Sequence, residues 1–476
     1  MSAEASSPTA LPVDPSHTGL LLTGGGARAA YQVGVLQAIS QIRRECGAPA
    51  ANPFPIVVGT SAGAINAAAL ASRADDFDGA VAAMLQAWRN MRAEHVYRAD
   101  SLGVIRTGAS WLTLFSFGWA LARWRRLRPR SLLDCDPLVH TLEQLVPLKR
   151  LQQVMREGHV RALAISASSY TSGEHVTFFD TTDDVAPWSR SQRFSVRTSI
   201  TLQHLLASSA IPFIFPAISL PMPVHDGEEY FGDGSMRQAA PVAPAIHLGA
   251  QRVLVVGAGR MQEPPGPRKL HHEYPNLAQI AGHAMSSIFL DALAVDVERV
   301  QRINRTLSLL TPEARAASGL RPVEVLVIAP SERVDDIAAR HLWALPVSVR
   351  AMLRAVGVYG RGQGARGSAL ASYLLFEAGF TGELISLGFK DTMNRRADVL
   401  RFFGWREPLG VSSGSLEPAV TVATAAPAPA PQAEFIQRAL LDPAFHASAQ
   451  ARRGGGGGRH GPDFVPELAN GPDSPL

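Results

Sequence analysis

Two short aliphatic runs organise the first part of the chain. Thr18 to Thr23 and Ile56 to Val58 each read as a buried strand that stops at glycine and gives way to residues with helical spacing. After the first run come Gly24-Gly25-Gly26-Ala27-Arg28-Ala29, then Ala30 to Arg44, where Val33, Leu36, Ile39 and Ile42 mark one helical face. After the second come Gly59, Ser61 and Gly63, and the small-residue run Ala64 to Ala71 predicts another helix. Helices are predicted at Asp78 to Met91, Asp136 to Val146, Ser199 to Ser209 and Val242 to Leu248. Arg161 to Ser169 and His175 to Asp180 read as a strand pair turning across Thr171 to Glu174. Glu229 to Phe231, Arg252 to Gly257 and Val323 to Ile328 are further strands, and Pro275 to Arg305 is a long helical region. Helices near 340–355, 366–378 and 391–403 complete the pattern. Strands alternating with helices over 18–390 predict an α/β fold with one mostly parallel sheet covered on both faces.

The ends differ in composition. Residues 1–17 are rich in Ser, Pro and Ala and are expected to be a disordered tail. Beyond Trp405 a Ser/Ala/Pro-rich stretch (Val411 to Gln432), a helix at Phe435 to Arg452 and the glycine run Gly454 to Gly458 are expected in a largely disordered tail, 406–476. That leaves one domain over 18–405, with a motif-bearing core at 18–260 and a mainly helical extension at 270–405.

Whole-chain numbers exclude several classes. Of 476 residues, 46% are hydrophobic and 18% charged, ordinary for a globular protein. The formal charge is +4, and the basic residues are nearly all arginine, with lysine only at Lys149, Lys269 and Lys390. Those arginines are scattered along the chain, without the one-faced clustering that nucleic-acid binding needs, so no nucleic-acid partner is expected. Cys46 and Cys135 are the only cysteines, too few for a disulfide framework or a cysteine metal site. Neither a secretory signal nor an uninterrupted apolar run of membrane-spanning length is visible, which favours the cytoplasm. One segment stands apart. Trp111 to Ala122 is apolar and is followed by Arg123, Trp124, Arg125, Arg126, Arg128 and Arg130. It fits either an element lying in a membrane interface, giving peripheral contact through 111–130, or a core helix ending in solvated arginines.

The chemistry concentrates at the two glycine-rich joints. Gly59-Thr60-Ser61-Ala62-Gly63 between a strand and a helix is the context of a nucleophile elbow, with Ser61 raised at the helix's positive end. The Gly24–Ala29 loop presents uncovered backbone N–H groups and can cradle an anion. A dinucleotide loop would want a closing glycine and an acidic residue at the end of the second strand. Ala29 and Gly59 stand at those positions. An oxyanion hole for an acyl intermediate fits better, with Ser61 on the adjacent strand, and a plain tight joint is the alternative. A serine hydroxyl also needs a base. His247, His271, His272 and His283 follow Ser61 in the chain, but none occupies a short loop directly after a clear strand. Asp233, in Gly232-Asp233-Gly234 after an apolar run and before a helix, is the preferred candidate over the earlier Asp226-Gly227.

Taken together these motifs resemble the patatin-like phospholipase family. The resemblance rests on the Gly24-Gly25-Gly26-Ala27-Arg28 loop, the Gly59–Gly63 elbow and Asp233-Gly234. Ala207-Ser208-Ser209-Ala210-Ile211-Pro212 with Phe215-Pro216 is also similar to the segment that family carries before its aspartate. Residues 18–260 carry the resemblance. It implies a three-layer α/β/α patatin-like fold and a serine lipid acyl hydrolase that cleaves fatty-acyl esters without metal or cofactor. It further implies Ser61 as nucleophile, Asp233 as proton acceptor, the N–H groups of Gly25, Gly26 and Ala27 as the oxyanion hole, and Arg28 beside them. Ala29 and Ser235 depart from the family pattern, each by a small residue. Two other classes remain: a Ser-His-Asp esterase or thioesterase acting on soluble acyl substrates, and a catalytically decayed lipid-binding module.

Overall fold

The two aliphatic runs become neighbouring parallel strands, β1 (Thr18–Leu22) and β2 (Ile56–Thr60), in register from Gly19 opposite Ile56 to Leu22 opposite Gly59. They lie at the centre of the sheet and are buried on both faces, which is why each reads as a continuous aliphatic string instead of an alternating one. The computed structural model describes residues 17–98, 131–223, 227–261, 274–360, 362 and 365–407. The segment 111–130, Asp226, His271, His272, the helix expected at 435–452 and all but His17 of the expected N-terminal tail lie outside the described residues.

Eight further strands join these two: β3 (Ala162–Ser169), β4 (His175–Thr181), β5 (Ser189–Arg190), β6 (Arg193–Arg197), β7 (Ile218–Pro221), β8 (Glu228–Asp233), β9 (Arg252–Val256) and β10 (Glu324–Ile328). Among the described residues they form one sheet in the order β10-β9-β1-β2-β3-β4-β6-β5, with β8 on β3 and β7 on β8. The run from β10 to β3 is parallel throughout; β3–β4, β3–β8, β5–β6 and β7–β8 are antiparallel. Side chains alternate across it. Leu20, Leu22, Val57, Leu163, Ile165, Leu254 and Val256 enter the larger apolar cluster on one face. Leu21, Ile56, Val58, Ala162, Ala164, Val253 and Val255 enter a second cluster on the other. The result is a three-layer α/β/α arrangement around a mostly parallel sheet.

On the larger-cluster face lie α1 (Ala30–Glu45), α2 (Ala62–Ala71) and α3 (Phe77–Arg89), together with helix Ala378–Asn394. The last of these departs from the sequence pattern, which left a gap between 378 and 391. Its glycines are the reason. Gly388 faces Gly34 of α1 across a crossing so close that a Cβ at Gly34 would strike the Ile385 carbonyl and one at Gly388 the Tyr31 carbonyl. The helix expected at 366–378 shrinks correspondingly to Ser368–Ser372. The short strands β5, β6 and β7 were not indicated by the apolar pattern, since each is an edge or near-edge element with mixed polar residues.

Helical residues Leu277–Leu309, with a π-type turn at Ser287–Asp291, form the one helix among the described residues that meets the length and composition of a membrane span. A scan for uninterrupted apolar runs passes over it because polar residues punctuate it. Its Leu293, Val297 and Val300 pack on the sheet in the second apolar cluster.

Candidate active site

Strand register brings Ser61 and Asp233 together. β2 pairs with β3 as far as Thr60 opposite Ser166, and β8 takes over the same edge with Asp233 opposite Ala167. The end of β2 and the end of β8 therefore meet head to head. Ser61 Oγ donates to Asp233 Oδ2 at 2.5 Å, and both residues are buried. No histidine stands between them. His247 lies on the opposite face of the sheet, stacked on Trp188 at 4.6 Å, and His283 is exposed on helix Leu277–Ser286.

The serine sits in a conformation that few side-chain-bearing residues adopt, φ 56° and ψ −132°, immediately before α2. The surroundings hold it there. Gly63 packs so closely on β1 that a Cβ would strike the Leu22 and Thr23 carbonyls. The Ser61 N–H donates to Ser208 Oγ at 2.8 Å, and that hydroxyl donates in turn to the Ser166 carbonyl at 2.7 Å. Ser208 thus ties the elbow to β3. Its segment carried the resemblance, but nothing in the sequence assigned the hydroxyl a task.

Asp233 is fixed from several sides. Its N–H donates to the Ala210 carbonyl, and its Oδ1 accepts the Ser235 N–H at 2.8 Å. Complete burial pushes its carboxyl up to about 6, against the hydrogen bonds from Ser61 and Ser235 that favour the ionised form. A carboxyl poised there can exchange a proton near neutrality, which the direct contact with Ser61 Oγ makes chemically useful.

The glycine loop differs in detail from expectation. Gly26 takes φ +55°, where a side chain would strain the backbone and strike the Tyr373 carbonyl. The Ala27 N–H donates to that same carbonyl at 3.1 Å, and the Arg28 N–H to the Gly25 carbonyl at 3.1 Å. Gly24, Gly25 and Gly26 are the loop positions whose N–H groups have no backbone acceptor among the described residues. The Arg28 side chain is an anchor: Nε donates to Ser372 Oγ (2.8 Å), and Nη2 donates to Asp335 Oδ1 (2.7 Å) and the Ala369 carbonyl (3.2 Å). Its guanidinium lies buried over the Tyr373 ring. The expected donors Gly25 and Gly26 remain available, whereas Ala27 and Arg28 are engaged in holding the loop.

A buried polar network that sequence reasoning missed fixes the other side of this loop. Gln32 Nε2 donates to the Thr23 carbonyl (2.7 Å), and Asn66 Nδ2 donates to Gln32 Oε1 (2.9 Å) and the Ala29 carbonyl (3.2 Å). Trp88 Nε1 donates to Asn66 Oδ1 at 2.8 Å. Each member is satisfied, so the network stiffens the joint between loop, α1 and α2 without the cost of an unpaired buried group. Its only signal in the sequence was an Asn and a Gln on otherwise apolar helical faces.

Beside Ser61 opens a small, almost wholly apolar cavity, walled by Ile65, Trp88, Met91, Leu142, Phe215 and Phe376. Gly26 and Ser61 lie on its lining, so the cavity, the serine and the uncovered N–H groups share one space. Among the described residues no cluster of metal-ligating side chains occurs.

A buried elbow serine bonded to a buried aspartate thus lies beside a glycine loop on a three-layer α/β/α scaffold. Comparison with known proteins finds a patatin-like phospholipase domain within the chain: the family model described as Patatin-like phospholipase matches residues 20–246. Two solved structures are similar. The crystal structure of VipD from Legionella pneumophila is 13% identical, with a TM-score of 0.28, and the match covers 81% of this chain and 67% of that one. The crystal structure of the type III effector protein ExoU is 16% identical, with a TM-score of 0.24, and the match covers 75% of this chain and 77% of that one. No curated protein matches the chain.

Proposed function

We propose that this protein is a serine lipid acyl hydrolase that cleaves fatty-acyl esters with Ser61 and Asp233, and that residues 18–405 are its catalytic domain. The observation that carries the reading is the 2.5 Å contact between Ser61 Oγ and Asp233 Oδ2 at the mouth of an apolar cavity. Asp233 takes the Ser61 proton as Oγ attacks the ester carbonyl. The tetrahedral oxyanion is received by the N–H groups of Gly25 and Gly26, a loop held in place before the reaction begins. Collapse breaks the ester bond, and the departing alcohol takes the proton back from Asp233. Water then attacks the acyl-enzyme, gives its proton to Asp233, and releases the fatty acid as Ser61 is reprotonated. The acyl chain lies in the cavity lined by Ile65, Met91 and Leu142, whose apolar walls favour a hydrocarbon over a polar acyl group.

The test is hydrolysis of phospholipid, lysophospholipid and glyceride panels by purified wild type, Ser61→Ala and Asp233→Asn. Each variant should lose about ten-thousandfold in kcat/KM while keeping the wild-type circular dichroism. An Asp233→Asn enzyme that retains wild-type turnover sinks the dyad. A wild-type protein that binds lipid vesicles but is never labelled at Ser61 by a fluorophosphonate points instead to a lipid-binding module.

A further inference from the structure

The face of the sheet opposite the serine carries a second cavity that the hydrolase reading does not use. It is a partly open space between the β4–β6–β5 corner and helix Ala292–Leu309. Register places three basic residues in one row across three strands. Arg190 of β5 is directly opposite Arg193 of β6, and Arg193 is the partner of His175 on β4. All three line the cavity, as does Arg299. Like charges directly opposite one another on a strand pair repel, so the row is an electrostatic cost unless an anion joins it.

One carboxylate within the protein lies in electrostatic reach of Arg193, too few charges to balance the row. Asp296 is the carboxylate on the cavity wall; it accepts the Val242 N–H at 2.9 Å and faces Arg299 at 3.4 Å. Arg193 makes no hydrogen bond or ion pair among the described residues, and Arg190 donates only to its neighbour's carbonyl, that of Ser189. At the inner end His175 is buried to 4% exposure, with no hydrogen-bond partner for its Nε2. A buried polar atom without a partner, in a cavity edged by unpaired guanidinium groups, is unusual in a native protein.

We propose that this cavity is a binding site for a phosphate group, held by Arg190 and Arg193 and contacting His175. Guanidinium groups match the oxygen geometry of phosphate, and a phosphate group offers acceptor oxygens and, when protonated, an O–H donor. Either tautomer of the imidazole is therefore satisfied by it. The His175 ring also lies against the Gly234 carbonyl. The site thus sits one side chain behind the Asp233–Gly234 turn. A free phosphate and the headgroup of an anionic lipid share this chemistry.

Titration calorimetry with inorganic phosphate, at ionic strength matched with chloride, reads the first source. Cosedimentation with phosphatidylcholine vesicles, with and without phosphatidic acid, reads the second. We expect saturable binding in one arm or both. Arg190→Met and Arg193→Met should each weaken it about tenfold to a hundredfold, the double variant should abolish it, and Arg89→Met, an exposed arginine elsewhere, should not change it. Both arginines are partly or fully exposed, and thermal melts of the variants show that the fold persists. Ser61→Ala should bind as the wild type does, so failure of the hydrolase reading leaves this result intact. Absence of saturable phosphate binding together with no dependence on phosphatidic acid overturns the proposal, as does binding that survives in the double variant.

Discussion

Arg28 holds its guanidinium 4.1 Å from the centre of the Tyr373 ring, while the carbonyl of that tyrosine accepts the Ala27 N–H. One residue of the C-terminal helical region thus fixes both the backbone and the side chain of the glycine loop. Phe289, carried on the π-type turn, stacks on the other side of the site against Tyr373 at 4.9 Å. The resemblance placed Arg28 beside the reacting oxygen; the geometry makes it the post to which the loop is tied.

Replacing Arg28 with Met should therefore act through loop position. It leaves Asp335, Ser372 and the Ala369 carbonyl without their donor and should cost about 3–5 kcal/mol, the range for breaking a buried ion pair from one side. Thermal melts read that loss. In kinetics with a short soluble ester, kcat should fall more than KM rises, because the loop serves the transition state. Equal effects of Arg28→Lys and Arg28→Met on stability would show that the forked contacts do not matter.

Ser208→Ala should strip the Ser61 N–H of its acceptor inside the protein. An unpaired buried donor costs about 1–3 kcal/mol, and the elbow it steadies is already in a rare conformation. Turnover should drop with KM nearly constant. A Ser208→Ala enzyme with wild-type kcat and melting temperature would show that the elbow is held by its glycine contacts alone.

Asp233 links activity and stability with opposite signs. On the proposed mechanism activity requires the ionised carboxylate, so kcat/KM should rise with pH and level off above about 6. Stability runs the other way. The folded carboxyl titrates near 6, above its ordinary 3.8, so its contribution is full below 3.8 and is lost as pH rises through about 6. The ionisation cost is on the order of 3 kcal/mol above that range. Asp233→Asn should accordingly be inactive yet melt higher than wild type at pH 8, with the difference vanishing near pH 4. A constant difference across pH would contradict the assignment of the titrating group.

Acyl-chain preference should follow the cavity wall. Leu142→Phe and Met91→Phe each add bulk to a buried lining, and both should depress hydrolysis of long-chain esters about tenfold relative to butyrate. A chain-length series of nitrophenyl esters measures the ratio, which would stay flat if the acyl group lay elsewhere.

The sequence makes some of this arrangement legible and hides the rest for physical reasons. β1, β2, β9 and β10 announce themselves because both faces of each are covered, and Ser61 does so because the glycines two positions to either side must lack side chains. Asp233 is recognisable as a residue type in a glycine turn. Its approach to Ser61 is not, since that depends on β8 beginning to pair with β3 where β2 leaves off. The acceptor for Ala27 and the partners of Arg28 come from far along the chain and carry no local signal. The glycines of helix Ala378–Asn394 mislead, because they mark a close crossing with α1 and resemble breaks. β5 and β6 pass unnoticed for the opposite reason: their pairing shows in a row of charges, not in an apolar pattern.

The distance along the chain between the loop and its anchors also sets an order of events during synthesis. Ser61 and Asp233 are separated by 172 residues, and Arg28 and Ser372 by 344. At roughly 5–20 residues per second, the loop waits on the order of 20–70 s on the ribosome for its anchors, and Ser61 about half as long for Asp233. A growing chain can thus bring serine and aspartate together well before the glycine loop has its support. On the proposed mechanism, hydrolysis therefore waits until the residues near 370 have emerged, a delay written into the connectivity of the fold.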